Sequence, residues 1–506
     1  MNSARFVVRI RVVAVIFALC ALLIAGRLYV LQIMHGDMYA ARADAQANPT
    51  TGPIVDRDKI YFTDKDGVPW AAALMQDIAS TSERKRAYPG GSLAAQEIGF
   101  VAYNNDNTQK GRYGLEKYYD TTLSQAGEDL YSNFFVQLFG AAKRALAGDP
   151  QSGSVVTTIE PTVQAELERT LANYDAQWHP ELTGGIIMNP QNGEIYAMAV
   201  APTFDLNSFN TQKDPSIYAN PMAQNVFEMG SIIKPLTMAA GIDSGVITPD
   251  STYDDTGCIT VNEKRICNYD GVARGVIPMQ QILSQSLNVG ASYVATKMGP
   301  SIMRNYFLNH YDLGQETGID LPGEVHGLVS NIANGNQAVD FDTASFGQGI
   351  AITPIETVRA LATLANGGNL VTPHFAKSIR YDTGITRDLT WATTPDVLKP
   401  QTVTDVTRML TTVVDNAFAA GMSFPHYSVA AKTGTAQIAN PNGGGYYSNE
   451  FLHSFFGYFP SYDAKFIVFL FAVDPKGAPY SSETWGTYFH DTVQFLINYY
   501  NVPPDR

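Results

Sequence analysis

The sequence predicts an α+β fold whose main domain is an antiparallel sheet covered by helices. Two patterns carry that prediction. Apolar, β-branched and aromatic runs bounded by turn signals lie on both sides of a long helical stretch, and the order strands, helices, strands is that of an α+β domain. A third observation puts a membrane segment ahead of it: an apolar run close to the N-terminus with arginines before it.

The N-terminal run comes first in chain order. Arg5, Arg9 and Arg11 precede "VVAVIFALCALLIAG", Val12 to Gly26, and Arg27 with the amphipathic "LYVLQIM" comes after it. Fifteen apolar residues fall short of the roughly 20 that span a bilayer. A cleavable signal peptide is therefore an alternative to an anchor, and either one exports the rest of the chain. The anchor is favoured because Leu28 to Met34 extend the helix, Arg27 can snorkel, and Ala21 to Gly26 is a poor cleavage site. The chain then divides into a cytoplasmic N-terminus (1–11), a membrane helix (12–34), a mixed segment rich in turn signals (35–153) and the main domain (154–506), with the basic flank on the cytoplasmic side.

The boundary rests on "DPQSGS", 149–154, a polar Pro/Gly/Ser stretch of linker type. After it, "SVVTTIEPTVQAELERTLANY" reads as a short strand and a helix with Pro161 in its first turn. "GGIIMNPQNGEIYAMAV" reads as a hairpin from Gly185 to Val200. In "ITPIETVRALATLANGG", Thr353 is an N-cap, Pro354 comes next, Glu356 completes a capping box, and Gly367 suits the C-cap. "HSFFGYFPS" and "KFIVFLFAV" have strand composition.

Composition excludes several function classes. A formal charge of −14 argues against a general nucleic-acid binder, which needs a basic face. Eight scattered histidines and three cysteines make no metal-ligand spacing, so neither metal nor cofactor is expected.

Three short patterns remain. They are Ser231-Ile232-Ile233-Lys234, Ser286-Leu287-Asn288 and Lys432-Thr433-Gly434-Thr435. Each alone is weak: another SxxK lies at Ser82 to Lys85 in the charged run "TSERKRAYPGG", expected as a loop, and another SxN at Ser208-Phe209-Asn210. Only the first enters an apolar helical run, "FEMGSIIKPLTMAAG". Positions i and i+3 share a helix face, so Ser231 Oγ and Lys234 Nζ can meet near a helix N-terminus, a nucleophile with its base. Lys234 must be neutral to take a proton, so its pKa has to fall from about 10.4 through burial and a second cation. Lys432 is that cation if its segment is an edge strand lining the cleft; Ser286 can relay a proton, and Asn288 can hydrogen-bond a substrate amide. Gly434 is expected to let substrate backbone approach the strand closely. "NPNGGGYYS", 440–448, reads as a lip beside the cleft, since its glycines precede no helix.

In this order the three patterns resemble those of serine acyl-transfer enzymes that react with penicillin. The likeness is wider than the patterns. "GEIYAMAVAPTFDLNSFN", "FEMGSIIKPLTMAAG", "LSQSLNVGASYVATKMG", "ASFGQGIAITPIETVRALATLANGG", "AAKTGTAQ" and "HSFFGYFPSYDAKFIVFLFAV" resemble the transpeptidase domain of class B penicillin-binding proteins over roughly 183–500, while "GPIVDRDKIYFTDKDG" and "RYGLEKYYDTTLSQAG" resemble that family's pedestal. Thr51-Gly52-Pro53 stands where an Arg-Gly pair is usual, and Leu287 where Ser or Asp is commoner. The resemblance implies a penicillin-binding, β-lactamase-like fold and a Ser231 acyl-enzyme that cross-links peptidoglycan stem peptides. It also implies an oxyanion hole from the backbone N–H groups of Ser231 and Thr435, and Thr433 and Thr435 hydroxyls on the D-Ala-D-Ala carboxylate. β-Lactams are the implied inhibitors and a membrane glycosyltransferase the implied partner, contacted through the N-terminal helix and pedestal. A serine β-lactamase lacks the anchor and pedestal. A carboxypeptidase differs only in using water as acceptor, and a sensor or scaffold without turnover fits the intact residue set less well. Between division and elongation the compact pedestal favours division.

The last expectation is a disulfide between Cys258 and Cys267 in "GCITVNEKRICNYDG". A two-residue turn at Asn262-Glu263 would place Val261 opposite Lys264 and, three pairs on, Cys258 opposite Cys267 at a non-hydrogen-bonded site. The alternative is two free thiols on a longer loop, since Asn-Glu is not a favoured turn pair. Cys20 should stay unpaired in the membrane.

Overall fold

The computed structural model describes residues 57–77, 84–103, 109–124, 152–381, 384–417, 424–441 and 443–506. The expected membrane helix, the lone Ser82 and Cys20 lie outside these residues. Among the described residues, no helix is long and apolar enough to cross a membrane.

The centre is a five-stranded antiparallel sheet in the order Ala430–Ala439, Tyr446–Phe459, Phe466–Val473, Leu182–Met188, Ile195–Ala201. Both faces are covered, and the strand Phe466–Val473 shows why it reads as one apolar run. Ile467, Phe469 and Phe471 join the core that includes the helix Lys234–Asp243, while Val468, Leu470 and Ala472 join a second core on the opposite face. Successive strand residues face opposite ways, so a strand buried on both faces has no polar position to alternate with. The second core is closed by the helices Pro161–Trp178 and Ser481–Tyr500, where Tyr174 stacks on Trp485 at 3.7 Å.

The helix Pro161–Trp178 starts as expected: Pro161 is in its first turn and the Glu160 carboxylate accepts from Val163 N. The hairpin expected at 185–200 is present, with Gly185 opposite Ala199. Thr353 and Glu356 form the capping box, but the helix stops at Ala362, capped by Thr363, so Gly367 lies beyond it in a turn at φ +78°. The charged run "TSERKR" also differs. Arg84–Ala87 is a strand paired with Pro69–Asp77, because Arg86 points inward to buried Glu116 rather than into solvent.

A six-stranded sheet joins the segments on either side of the linker. Its order is Thr386–Asp388, Ala376–Tyr381, Gly153–Thr157, Ile60–Thr63, Pro69–Asp77, Arg84–Ala87, and Ile60–Thr63 runs parallel to Gly153–Thr157.

The hairpin Cys258–Val261 and Lys264–Cys267 has the expected register, Val261 to Lys264 through Cys258 to Cys267, and the two cysteines are disulfide-bonded. Asn262 and Glu263 both take positive φ, 46° and 65°, the primed turn that matches strand twist.

Candidate active site

Ser231 lies in a single 3₁₀ turn, Gly230–Ile233, that feeds the helix Lys234–Asp243. Its neighbours Ile232, Ile233 and Lys234 are buried, whereas Ser231 is half-exposed. The apolar pair anchors the turn in the core and turns the serine outward. The turn is pinned from behind: Gly230 N donates to Gly347 O at 3.0 Å. Gly347 sits at φ +78°, and a Cβ there would fall 2.2 Å from Gly230 O, so only glycine fits against the turn.

The strand Ala430–Ala439 presses on the same turn. A Cβ at Gly434 would meet Ser454 Oγ at 2.3 Å and Met229 O at 2.8 Å. Gly434 is therefore buried toward the protein, and its small size admits the Ser231 turn rather than substrate backbone. Ser454 Oγ donates to Met229 O at 2.9 Å and completes the contact. Thr433 and Thr435 alternate to the half-exposed face. Thr435 Oγ1 accepts from Ser481 N at 3.1 Å, which leaves its own O–H as a donor.

Lys234 is fully buried, and its Nζ donates to Ser286 O at 2.6 Å, Asn288 Oδ1 at 2.8 Å and Ser286 Oγ at 3.3 Å. All three bonds go to the SxN segment, so the amine is tied to Ser286 and Asn288 instead of directly to Ser231. Lys432 is equally enclosed and donates to Ser286 Oγ at 3.0 Å and to Thr433 O at 2.9 Å. Ser286 Oγ thus lies between two lysine nitrogens. Its two lone pairs can accept both, which frees its own proton for a third group. Ser286 holds this position at φ 55°, a left-handed conformation uncommon for a serine and a mark of local strain at a site.

Burial, and then the Lys432 charge, push the Lys234 amine well below its ordinary pKa; burial alone brings Lys432 down to about 7. Burial and the charge of Lys432 are the two causes the sequence reading names for a lowered pKa at Lys234. Among the described residues, no three His, Cys, Asp or Glu side chains converge as metal ligands.

All three motifs meet at Ser286. The family described as "Penicillin binding protein transpeptidase domain" matches residues 183–494, more than half of the chain. The chain belongs to the class B penicillin-binding protein transpeptidases. It is 31% identical to Stage V sporulation protein D of Bacillus subtilis, over 78% of this chain and 60% of that protein. It is 28% identical to penicillin-binding protein PbpB of Mycolicibacterium smegmatis over 84% and 67% of the two chains. The chain thus spans about two thirds or less of these curated relatives' length. A structure of penicillin-binding protein 3 from Mycobacterium tuberculosis, complexed with ampicillin, superimposes with TM-score 0.77 at 26% identity, covering 90% of this chain and 97% of that one.

Sequence reasoning missed the parts of this candidate site that act from behind. Gly347 lies in "ASFGQG", but nothing in that string says which backbone it meets. Asn288 Nδ2 donates to Cys267 O at 3.0 Å, and Val289 N donates to Asn268 Oδ1 at 3.1 Å, so the cysteine hairpin borders the site. The proximity of the cysteines to the SxN segment, about twenty residues on, was the available signal.

Proposed function

We propose that the chain is a serine D,D-transpeptidase that cross-links peptidoglycan stem peptides. The observation that carries this reading is Ser286 Oγ held between Lys234 and Lys432, with Ser231 at the head of the Lys234 helix. Ser231 Oγ attacks the carbonyl carbon between the two D-alanines, and its proton passes to neutral Lys234. The oxyanion lies against the backbone N–H groups of Ser231 and Thr435, and Thr433 and Thr435 hydroxyls bind the terminal carboxylate. The tetrahedral carbon expels D-alanine, whose amine takes a proton through Ser286, leaving an ester on Ser231. An acceptor amine from a second stem peptide then attacks the ester, gives up a proton and returns Ser231 to its hydroxyl form. β-Lactams acylate the same serine, and the ampicillin complex named for the related structure supports that expectation.

The chain is held in a cell membrane by residues 12–34, with the catalytic domain outside, and works beside a membrane glycosyltransferase in septal synthesis. Intact mass of membrane-extracted protein tests the anchor; a mature start between Ala25 and Asp44 would refute it. A tagged copy found along the side wall would refute the septal role.

A fluorescent penicillin should label the wild-type chain once. Ser231→Ala should abolish labelling and Ser82→Ala should not. Undiminished labelling of Ser231→Ala would overturn the mechanism.

A further inference from the structure

The cysteine hairpin reaches the active site through one side chain. Asn288 accepts from Lys234 Nζ at 2.8 Å through Oδ1 and donates to Cys267 O at 3.0 Å through Nδ2. Its amide plane is thereby fixed at both ends, one end on the base and the other on a disulfide-bonded residue. The next residue repeats the connection: Asn268 Oδ1 accepts from Val289 N, its Nδ2 donates to buried Asp255, and its own N–H goes to Gly257 O. At the far end of the hairpin, Asn262 Oδ1 accepts from Val339 N. The hairpin therefore bridges the start of the helix Asn288–Asn305 and the start of the helix Ala338–Ala344.

We propose that the Cys258–Cys267 disulfide is a positioning device for the reaction: by holding the Cys267 carbonyl it keeps the Asn288 amide on Lys234, and its reduction slows acylation of Ser231. The proposal rests on the acyl-enzyme reading above. The mechanical reason is that four residue pairs make a hairpin that is marginal without a further restraint. Asn268 still ties one strand to the helix when the disulfide opens, so the hairpin loosens without the domain unfolding. A shift of about 1 Å is enough to break a 3.0 Å hydrogen bond. Asn288 is then free to rotate off Lys234, and water gains access to the amine. Lys432, from the strand Ala430–Ala439, is the charged group set against Lys234; Ser286 and Asn288 are neutral. Lost hydrogen bonding to Oδ1 lowers the Lys234 pKa, whereas rehydration raises it. Burial is the largest cause of its present depression, so rehydration wins.

Reduction by a dithiol such as dithiothreitol breaks the S–S bond. The dithiol supplies two electrons and two protons, two cysteine thiols form, and the dithiol closes to its own disulfide. The full-length chain is purified oxidised, and the second-order rate of labelling by fluorescent penicillin is measured from pH 6 to 10. The same measurement is made after dithiothreitol, after reoxidation, and on Cys258→Ser/Cys267→Ser. Reduced protein and the double variant should label on the order of 10- to 100-fold more slowly at neutral pH. Full amplitude should be retained, the acid limb should move to higher pH, and reoxidation should restore the rate. Equal rates and pH profiles with both thiols demonstrated by mass would overturn the proposal. So would a loss of amplitude that merely tracks loss of folded signal, with the rate and profile of the remainder unchanged, since that is the behaviour of a structural crosslink. Failure of the oxidised wild type to label at all would instead count against the acyl-enzyme reading.

Discussion

At the residue scale, two lysines that share Ser286 Oγ can be told apart by what each must do. In the proposed mechanism Lys234 has to release and regain a proton, so Lys234→Arg should lose acylation although its charge is kept, because guanidinium does not deprotonate in a protein. Lys432→Arg should retain part of it. Equal, wild-type rates in both would remove Lys234 from the role of base. Lys432 also carries a stability cost. Its folded pKa is about 7 while the unfolded value is near 10.4, so between those limits the unfolded chain binds more protons and stability rises with pH. Lys432→Met should then raise the melting temperature by a few degrees at pH 7, with the gain closing toward pH 10, while acylation is lost. A gain independent of pH would mean that packing, not charge burial, sets the effect. The motifs were legible because the proposed acyl transfer fixes residue types and spacings. What was not legible was contact: the sequence placed Lys234 against Ser231, whereas its three bonds run to Ser286 and Asn288.

At the scale of elements, register was legible wherever period-2 pairing could be counted from a marked end. The cysteine hairpin is the clearest case, since the turn and the two cysteines fix every pair between them. Gly434 shows where counting stops. Alternation says that Lys432 and Gly434 share a face, but not that the Ser231 turn and Ser454 occupy it. Gly434→Ala should therefore act through protein packing: its Cβ pushes the strand from Met229 and opens the gap between Ser231 and Thr435. Acylation should fall by about tenfold or more with the fold retained. Gly434→Ala with Ser454→Gly should recover part of the rate, because the closest clash is with Ser454 Oγ. Equal loss in the single and double variants, with normal substrate-independent stability, would point back to substrate approach as the reason for glycine. Gly367 was misplaced for a related reason: the helix it seemed to cap stops at Ala362, where Thr363 and Gly368 close the turn through Gly368 N to Thr363 O.

At the scale of the whole molecule, the linker marks a change in composition without a break in structure. Strand Gly153–Thr157 begins within its last two residues and lies between Ala376–Tyr381 and Ile60–Thr63, so one of its neighbours comes from each side of the linker. Side chains lock that pairing: Thr157 Oγ1 donates to Tyr61 O, Thr63 Oγ1 to Thr157 O, and Thr63 N to Ile159 O. Further along, Tyr88 and Asn207 exchange two hydrogen bonds, and Tyr119 OH donates to buried Asp320. Ile60, Phe62 and Val155 are buried in the same core as the Ser231 helix. A chain starting at residue 154 would lose the partner strand Ile60–Thr63 together with Gly153, expose the edge of the remaining 154–157 and uncover Val155 and Ile159. An exposed, apolar edge is a site for pairing between chains. The truncated chain should aggregate or bind a hydrophobic dye, and should melt at least several degrees below a chain starting at Arg57. Both are compared with the full-length chain by thermal unfolding and size-exclusion chromatography, and both are titrated with fluorescent penicillin. If the chain starting at residue 154 is monomeric, melts with the longer one and labels at the same rate, then the six-stranded sheet is dispensable and the composition change at 149–154 is also a structural boundary.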